Sequence, residues 1–291
     1  MNINFASPKI LEKAFTVSAS PSWQGVSTTQ QLIEYEGQQI LLESLHDDML
    51  DFLSFDTLLD VATQCGQSGL APIVVAADLA THTVAYSYAG EWRAAGLHDL
   101  AKAQVRQQLI QCKKQLQSTL NIRHIDRSFE WIESLAEQIR HDPILCPKQL
   151  DVWLAFARQA KQSLQDRDFQ LVPCHLDGNI SNVLINANDE VQLTHFVCTA
   201  LADPLQDIGC YLMEAYELKE DAKQGYIEWC GEFDAAQFER AWCYGMLDDL
   251  KWGLIAINLS SQSPRKQLEF GKYASWRFLR FEENLKTITV I

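Results

Sequence analysis

Three residues in the run "HLDGNISN" have the types and spacing to do chemistry together: His175, Asp177 and Asn182, an H-x-D-x-x-x-x-N pattern. A loop Asp at this spacing can accept or orient the proton of an attacking hydroxyl, and an Asn one turn on can lend its carbonyl oxygen to magnesium. That division of labour is what phosphoryl transfer needs. The pattern runs directly into a strand, "NVLIN", a turn at "ANDE" and a second strand, "VQLTHFV", whose far end can hold a second ligand beside the first. His195 stands at that far end. Asp203-Pro204 begins eight residues after it, and Asp207 lies three beyond Asp203.

The elements that must position these groups fall into two kinds. Residues 28–45 read as a hairpin turning at Glu36-Gly37, with β-compatible apolar residues on both arms. Residues 48–69 carry apolar groups at helical spacing and stop at a glycine. A second strand pair fits residues 71–90, turning near Asp78 and ending at Gly90. Beyond that glycine the periodicity becomes helical over 100–120, 129–140 and 149–166. It resumes through 238–259 and the tail after the interruption at 174–209. There is no internal repeat, heptad array or low-complexity linker.

Bulk properties narrow the function classes. A net charge of −14 and a pI near 4.9 disfavour duplex nucleic acid, whose phosphates need a basic face. They suit a small cationic ligand better. No apolar run is long enough to span a bilayer, and the amino-terminal "MNINFASPKILEKAF" lacks the apolar core and cleavage site of a secretory signal. The expectation is a cytoplasmic protein without membrane partners. Eight cysteines lie scattered with no C-x-x-C pair, which argues against a zinc ribbon, a thioredoxin-type site or a disulfide scaffold. A zinc site built from His175, His195 and Cys174 or Cys198 is disfavoured too, because adjacent residues on an extended segment point to opposite faces.

The order and spacing of these motifs resemble the aminoglycoside phosphotransferase and choline kinase family. In that family the loop pattern is followed by a segment like I-D-W/F-E-x-A and then D-P-x-x-D; here "THFVCTALADPLQD" keeps the spacing. The resemblance runs from about residue 20 to the end and takes in "LAP" at 70–72 and the hinge-like "AYSYAG" at 85–90. It implies a bilobal protein-kinase-like α+β fold, with a small β-rich lobe over residues 1–89 and a larger, mainly helical lobe over 90–291. It implies ATP and magnesium as cofactors. Asp177 would be the catalytic carboxylate, His175 the brace of its loop and Asn182 a metal ligand. Asp203 and Asp207 would tie the loop to the following helix. Gly25, Ser27, Tyr86 and Tyr88 would lie along the nucleotide.

Two positions depart from the family pattern. The metal-binding Asp is replaced by His195, although magnesium prefers oxygen ligands and imidazole suits zinc, copper, iron or nickel. The basic residue that should end the second hairpin strand and pair the nucleotide phosphates is Glu43. Each loss of this kind costs on the order of 3 kcal/mol in transition-state stabilisation. The leading expectation is therefore a degenerate phosphotransferase that binds a small ligand or a protein. The alternatives are an active ATP-dependent kinase for a small cationic amine such as choline, thiamine or an aminoglycoside, and a docking protein that binds no nucleotide. For the amine, Trp242, Asp249 and Trp252 share one side of a helix, with Asp248 at its edge.

Overall fold

The computed structural model describes Ile3 and residues 25–165, 169–266 and 268–288. The amino-terminal stretch assessed above for a secretory signal lies outside the described residues, Ile3 excepted. The chain divides into two compact units, the first formed by residues 1–124 and 172–201, the second by 125–171 and 202–291.

The first unit is built on a four-stranded antiparallel sheet. Strands β1 (Thr28–Tyr35) and β2 (Gln38–Leu45) form the expected hairpin, and β3 (Val74–Asp78) and β4 (Thr83–Ser87) a second, in the order β1-β2-β4-β3. The first turn is Glu36-Gly37, both at positive φ (51° and 76°), the two-residue geometry whose twist matches that of the strands it joins. This turn fixes the register: Gln30 faces Glu43 and Thr28 faces Leu45, while Glu43 faces Val84 and Leu41 faces Tyr86. Side chains alternate with a period of two, so Thr28, Glu43 and Tyr86 emerge on one face of the sheet. The opposite face of β2 supplies Ile40 and Leu42 to a core with Ile3, Ile33 and Ala85.

The helix expected over 48–69 begins later, as α1 (Phe55–Gln67), after a 3-10 turn at Asp47–Met49. Ser54 accepts a hydrogen bond from the Thr57 amide at 3.3 Å and caps the helix, so apolar periodicity alone places the start too early. Its carboxyl-terminal cap is Ser68, and Gly69 just beyond, at a φ of +76°, turns the chain away. The rest of this unit comprises α2 (Ala103–Thr119) and two small sheets, one of β5 (Arg93–Ala94), β7 (Val183–Ile185) and β8 (Val191–Leu193). The other joins β6 (Val172–Cys174) to β9 (Ala200–Ala202), at the edge of the unit.

The second unit is helical: α3 (Ser128–Arg140), α4 (Leu150–Gln165), α5 (Pro204–Ala215), α6 (Lys219–Cys230), α7 (Ala235–Gln262) and α8 (Phe270–Leu285). Its centre is the crossing of α5 with α7, where Gly209 meets Gly245. A Cβ on Gly209 would fall 2.0 Å from the Ala241 carbonyl oxygen, so only glycine permits this approach. Among the described residues no helix is long and apolar enough to cross a membrane.

Candidate functional site

The H-x-D pattern forms a loop after β6, held from two sides. Lys113, buried on α2, donates to the Asp177 carbonyl oxygen (2.9 Å) and lies 3.2 Å from His175 Nδ1. A lysine ammonium only donates, so Nδ1 accepts and the proton sits on Nε2, which donates to the Thr194 carbonyl oxygen at 3.0 Å. Leu176, between the two motif residues, takes the left-handed conformation at φ 56°, turning Asp177 away from the strand direction. Asp177 Oδ1 accepts from the Asn179 amide (2.8 Å) and Oδ2 from the Asn182 side-chain amide (2.7 Å). Lys113 carries no signature in the motif. Helical spacing puts it beside the apolar residues of α2, the one hint that it points inward.

The hairpin β7–β8 returns as the sequence suggests, but it stops at Leu193. Thr194 bonds the Asn182 carbonyl oxygen through both its amide (3.0 Å) and its hydroxyl (2.7 Å), and His195 leaves the strand in the left-handed region, φ 66° and ψ 62°. A β-side chain so placed is swung out of the alternation a continuing strand would impose. His195 meets the face of the sheet that carries Glu43. Its Nδ1 donates to Glu43 Oε1 at 2.9 Å and lies 3.1 Å from the Thr28 hydroxyl. On the other side, Nε2 is 2.8 Å from Ser27 Oγ and 3.8 Å from Asp177 Oδ2.

Glu43 is fully buried and satisfied: Thr28 donates to Oε1 at 3.2 Å and the Tyr86 hydroxyl to Oε2 at 2.9 Å. Burial disfavours the imidazolium. The Glu43 hydrogen bond and the nearby charges of Asp177 and Glu43 outweigh it, holding the His195 pKa above the ordinary histidine value. The two departures from the family pattern, 152 residues apart in sequence, are thus partners in one buried ion pair.

The other positions that the resemblance assigns to the nucleotide have partners of their own. Tyr86 spends its hydroxyl on Glu43, and Tyr88 hydrogen-bonds the Trp92 carbonyl oxygen. Gly25 sits in a tight bend, where a Cβ would approach the Thr28 carbonyl oxygen to 3.0 Å. The donor set does not fit a magnesium-bridged triphosphate. Both ring nitrogens of His195 have protein partners, and the sheet presents a carboxylate where the resemblance puts a phosphate-pairing base; Asn182, with its amide nitrogen on Asp177, keeps its carbonyl oxygen and is the one of these positions that still suits a cation.

In the second unit, Asp203 caps α5: Oδ1 accepts from the Leu205 amide (2.9 Å), with Pro204 at the first helical position. Its Oδ2 accepts from Arg240 (2.9 Å) and the Tyr244 hydroxyl (3.1 Å), joining α5 to α7, and Asp207 is fully buried one turn on. Trp242, Asp249 and Trp252 are all buried on α7. The indole of Trp242 donates to Asn284 at 3.1 Å and stacks on Phe238.

Asp249 already holds cations of this chain. Arg280 grips it through Nε (2.7 Å) and Nη2 (2.5 Å), and Arg277 through Nη1 (2.9 Å). Both guanidinium groups also bond Glu214 at 2.5 Å. Burial alone would push Glu214 up, but Arg277 and Arg280 hold its carboxyl down at about 2. Asp248 lies 2.7 Å from Lys251 Nζ and lines a small cavity with Phe129, Gln206 and Tyr244.

A family model described as the phosphotransferase enzyme family matches residues 26–249. The sequence matches no curated protein. Among solved structures, a choline/ethanolamine kinase family protein from Mesorhizobium loti is similar with a TM-score of 0.76 at 17% identity, covering 92% of this chain and 89% of that one. The choline kinase LicA from Streptococcus pneumoniae is similar at 0.78 and 13%, covering 96% and 94%. Aminoglycoside 2'-phosphotransferase-IIIa in its GDP complex is similar at 0.63 and 15%, covering 98% and 94%. These likenesses show the kinase-like α+β fold expected from the sequence.

Proposed function

This chain belongs to the phosphotransferase enzyme family, and on that premise we propose that it is a degenerate member, a pseudokinase that binds a small ligand or a protein without transferring phosphate. The observation that carries this reading is the 2.9 Å bond between His195 Nδ1 and Glu43 Oε1. The resemblance places a base at residue 43 and a carboxylate at 195. Here both signs are reversed, which preserves the mutual attraction while inverting what each end offers to a ligand. A triphosphate meets the Glu43 and Asp177 carboxylates, and its metal meets an imidazole whose nitrogens are engaged. A single reversal would strand one buried charge against another of like sign; the double reversal leaves a satisfied pair.

For the amine reading, Asp249 and Asp248 each already have a cation of this chain within bonding distance. A small-molecule ligand of this protein therefore has to be sought without assuming that either carboxylate is free.

Thermal unfolding with ATP, with and without magnesium or manganese, tests the proposal. The wild-type chain is expected to show no metal-dependent stabilisation. The double variant Glu43→Lys/His195→Asp, which restores both signs, is expected to gain it. Metal-dependent stabilisation of the wild type by ATP, together with a phosphorylated amino alcohol by mass, would overturn the reading.

A further inference from the structure

Ser27 has a geometry that the loss of phosphate transfer does not explain. Its hydroxyl lies 2.8 Å from His195 Nε2, the ring's other nitrogen donates to Glu43 Oε1 at 2.9 Å, and Glu43 is itself fixed by the Thr28 and Tyr86 hydroxyls. A hydroxyl on one imidazole nitrogen and a buried carboxylate on the other is the arrangement that activates a serine once the imidazolium of the ion pair has given up its proton: the carboxylate then fixes the Nδ1–H tautomer, and the Nε2 lone pair faces the hydroxyl proton. Asp177 Oδ2, 3.8 Å from Nε2, adds a second negative charge to stabilise the imidazolium that forms.

We infer that Ser27 is a nucleophile, with His195 as its general base and Glu43 as the positioning residue of the imidazole, and that it takes small activated esters. Ser27 Oγ attacks the ester carbonyl carbon while its proton passes to Nε2. The carbon–oxygen bond to the leaving group then breaks, and the proton on Nε2 goes to the departing alcohol. A water molecule, giving its proton to Nε2, attacks the acyl group on Ser27. The carboxylic acid leaves and the proton returns to Oγ. The sum is ester plus water giving acid plus alcohol. Ser27 is 3% exposed, which restricts the electrophile to a compact one. None of these steps uses ATP or a metal, so the inference stands apart from the pseudokinase reading.

The test is covalent labelling of the full chain with diisopropyl fluorophosphate, a compact electrophile that loses fluoride to a serine oxygen, at rising alkaline pH so that the neutral imidazole is sampled, followed by peptide mapping. The adduct is expected on Ser27 and is lost in Ser27→Ala. His195→Ala is expected to slow labelling at least 100-fold, in the range of general-base contributions, and added imidazole to restore part of the rate. Glu43→Gln slows it, and Glu43→Asp recovers part of the loss. Removing the buried imidazole could unfold the loop, so the deciding readout is the folded wild-type chain. No adduct there, or an adduct on another serine, overturns the inference, as does equal labelling in a folded His195→Ala chain.

Discussion

Two ion clusters of this chain, one around Glu43 and one around Asp249, are built on different cations. In the first unit a single imidazole faces Glu43 and Asp177 and is surrounded by the hydroxyls of Ser27 and Thr28. In the second, Arg277 and Arg280 cross-link Asp249 and Glu214. Guanidinium stays charged under all ordinary conditions and fills both carboxylates with directed bonds, which suits a permanent tie between α7, α8 and α5. Imidazole can give up its proton, accept one from a neighbour, and leave a hydroxyl half-activated. The first cluster is chemically adjustable and the second is a fastener.

The largest effect should come from breaking the fastener. Asp249→Ala removes a fully buried carboxylate, leaves two half-buried guanidinium groups sharing Glu214, and is expected to cost about 4 kcal/mol in urea unfolding, within the range for breaking a buried charge pair. A loss below about 1 kcal/mol would mean that the arginines reach water and that the contrast is false. His195→Ala should cost somewhat less, about 3 kcal/mol, because Glu43 keeps the Thr28 and Tyr86 hydroxyls. The double variant Glu43→Leu/His195→Ala should recover much of that loss. A double-mutant cycle measures the coupling directly, and additive losses would show that the two residues do not act as a pair.

Why this pairing escaped the sequence is a matter of distance along the chain. Glu43 and His195 each stand out against the family pattern, but 152 residues separate them, and read singly they are two independent losses. What the sequence does encode is the local half of the geometry. Glu36-Gly37 fixes the hairpin register, and the period of two then puts Thr28 and Glu43 on one face. The H-x-D loop, the β7–β8 return and the long helices were legible for the same reason: each is set by residues close in sequence. The left-handed backbone at His195 was not, since nothing short of the packed loop demands it. Arg277 and Arg280, three apart on α8, announce a common face but not which acids they meet. An acid flanked by tryptophans on α7 therefore read as open to an external amine.

His195 of the first cluster and Glu214 of the second should also answer to pH in opposite directions. The His195 pKa is raised in the folded state, so its contribution is complete below the ordinary histidine value and is lost as pH rises through the folded one. Glu214 is lowered to about 2 from an ordinary 4.5, so its contribution is complete above about 4.5 and is lost as pH falls toward 2. Guanidinium chloride unfolding across the pH range should show the alkaline loss in the wild type and not in Glu43→Leu/His195→Ala. The acid loss should survive in that variant. An alkaline loss that persists without the imidazole would assign it to another group.

The smallest effects come from exchanging one cation for another, and they separate charge from shape. Arg280→Lys keeps the positive charge but replaces a fork that engages both oxygens of Asp249, at 2.7 and 2.5 Å, with a single point donor. Losing one charged hydrogen bond in this way should cost about 1–2 kcal/mol, with no change in the pH profile near neutrality. At His195 the same kind of exchange should act on the profile instead. Lysine holds its proton far into alkaline conditions, so His195→Lys keeps a cation beside Glu43 and removes the alkaline loss, while giving up the Nε2 contact to Ser27. If His195→Lys retains the wild-type alkaline loss, the imidazole proton is not what distinguishes the first cluster from the second.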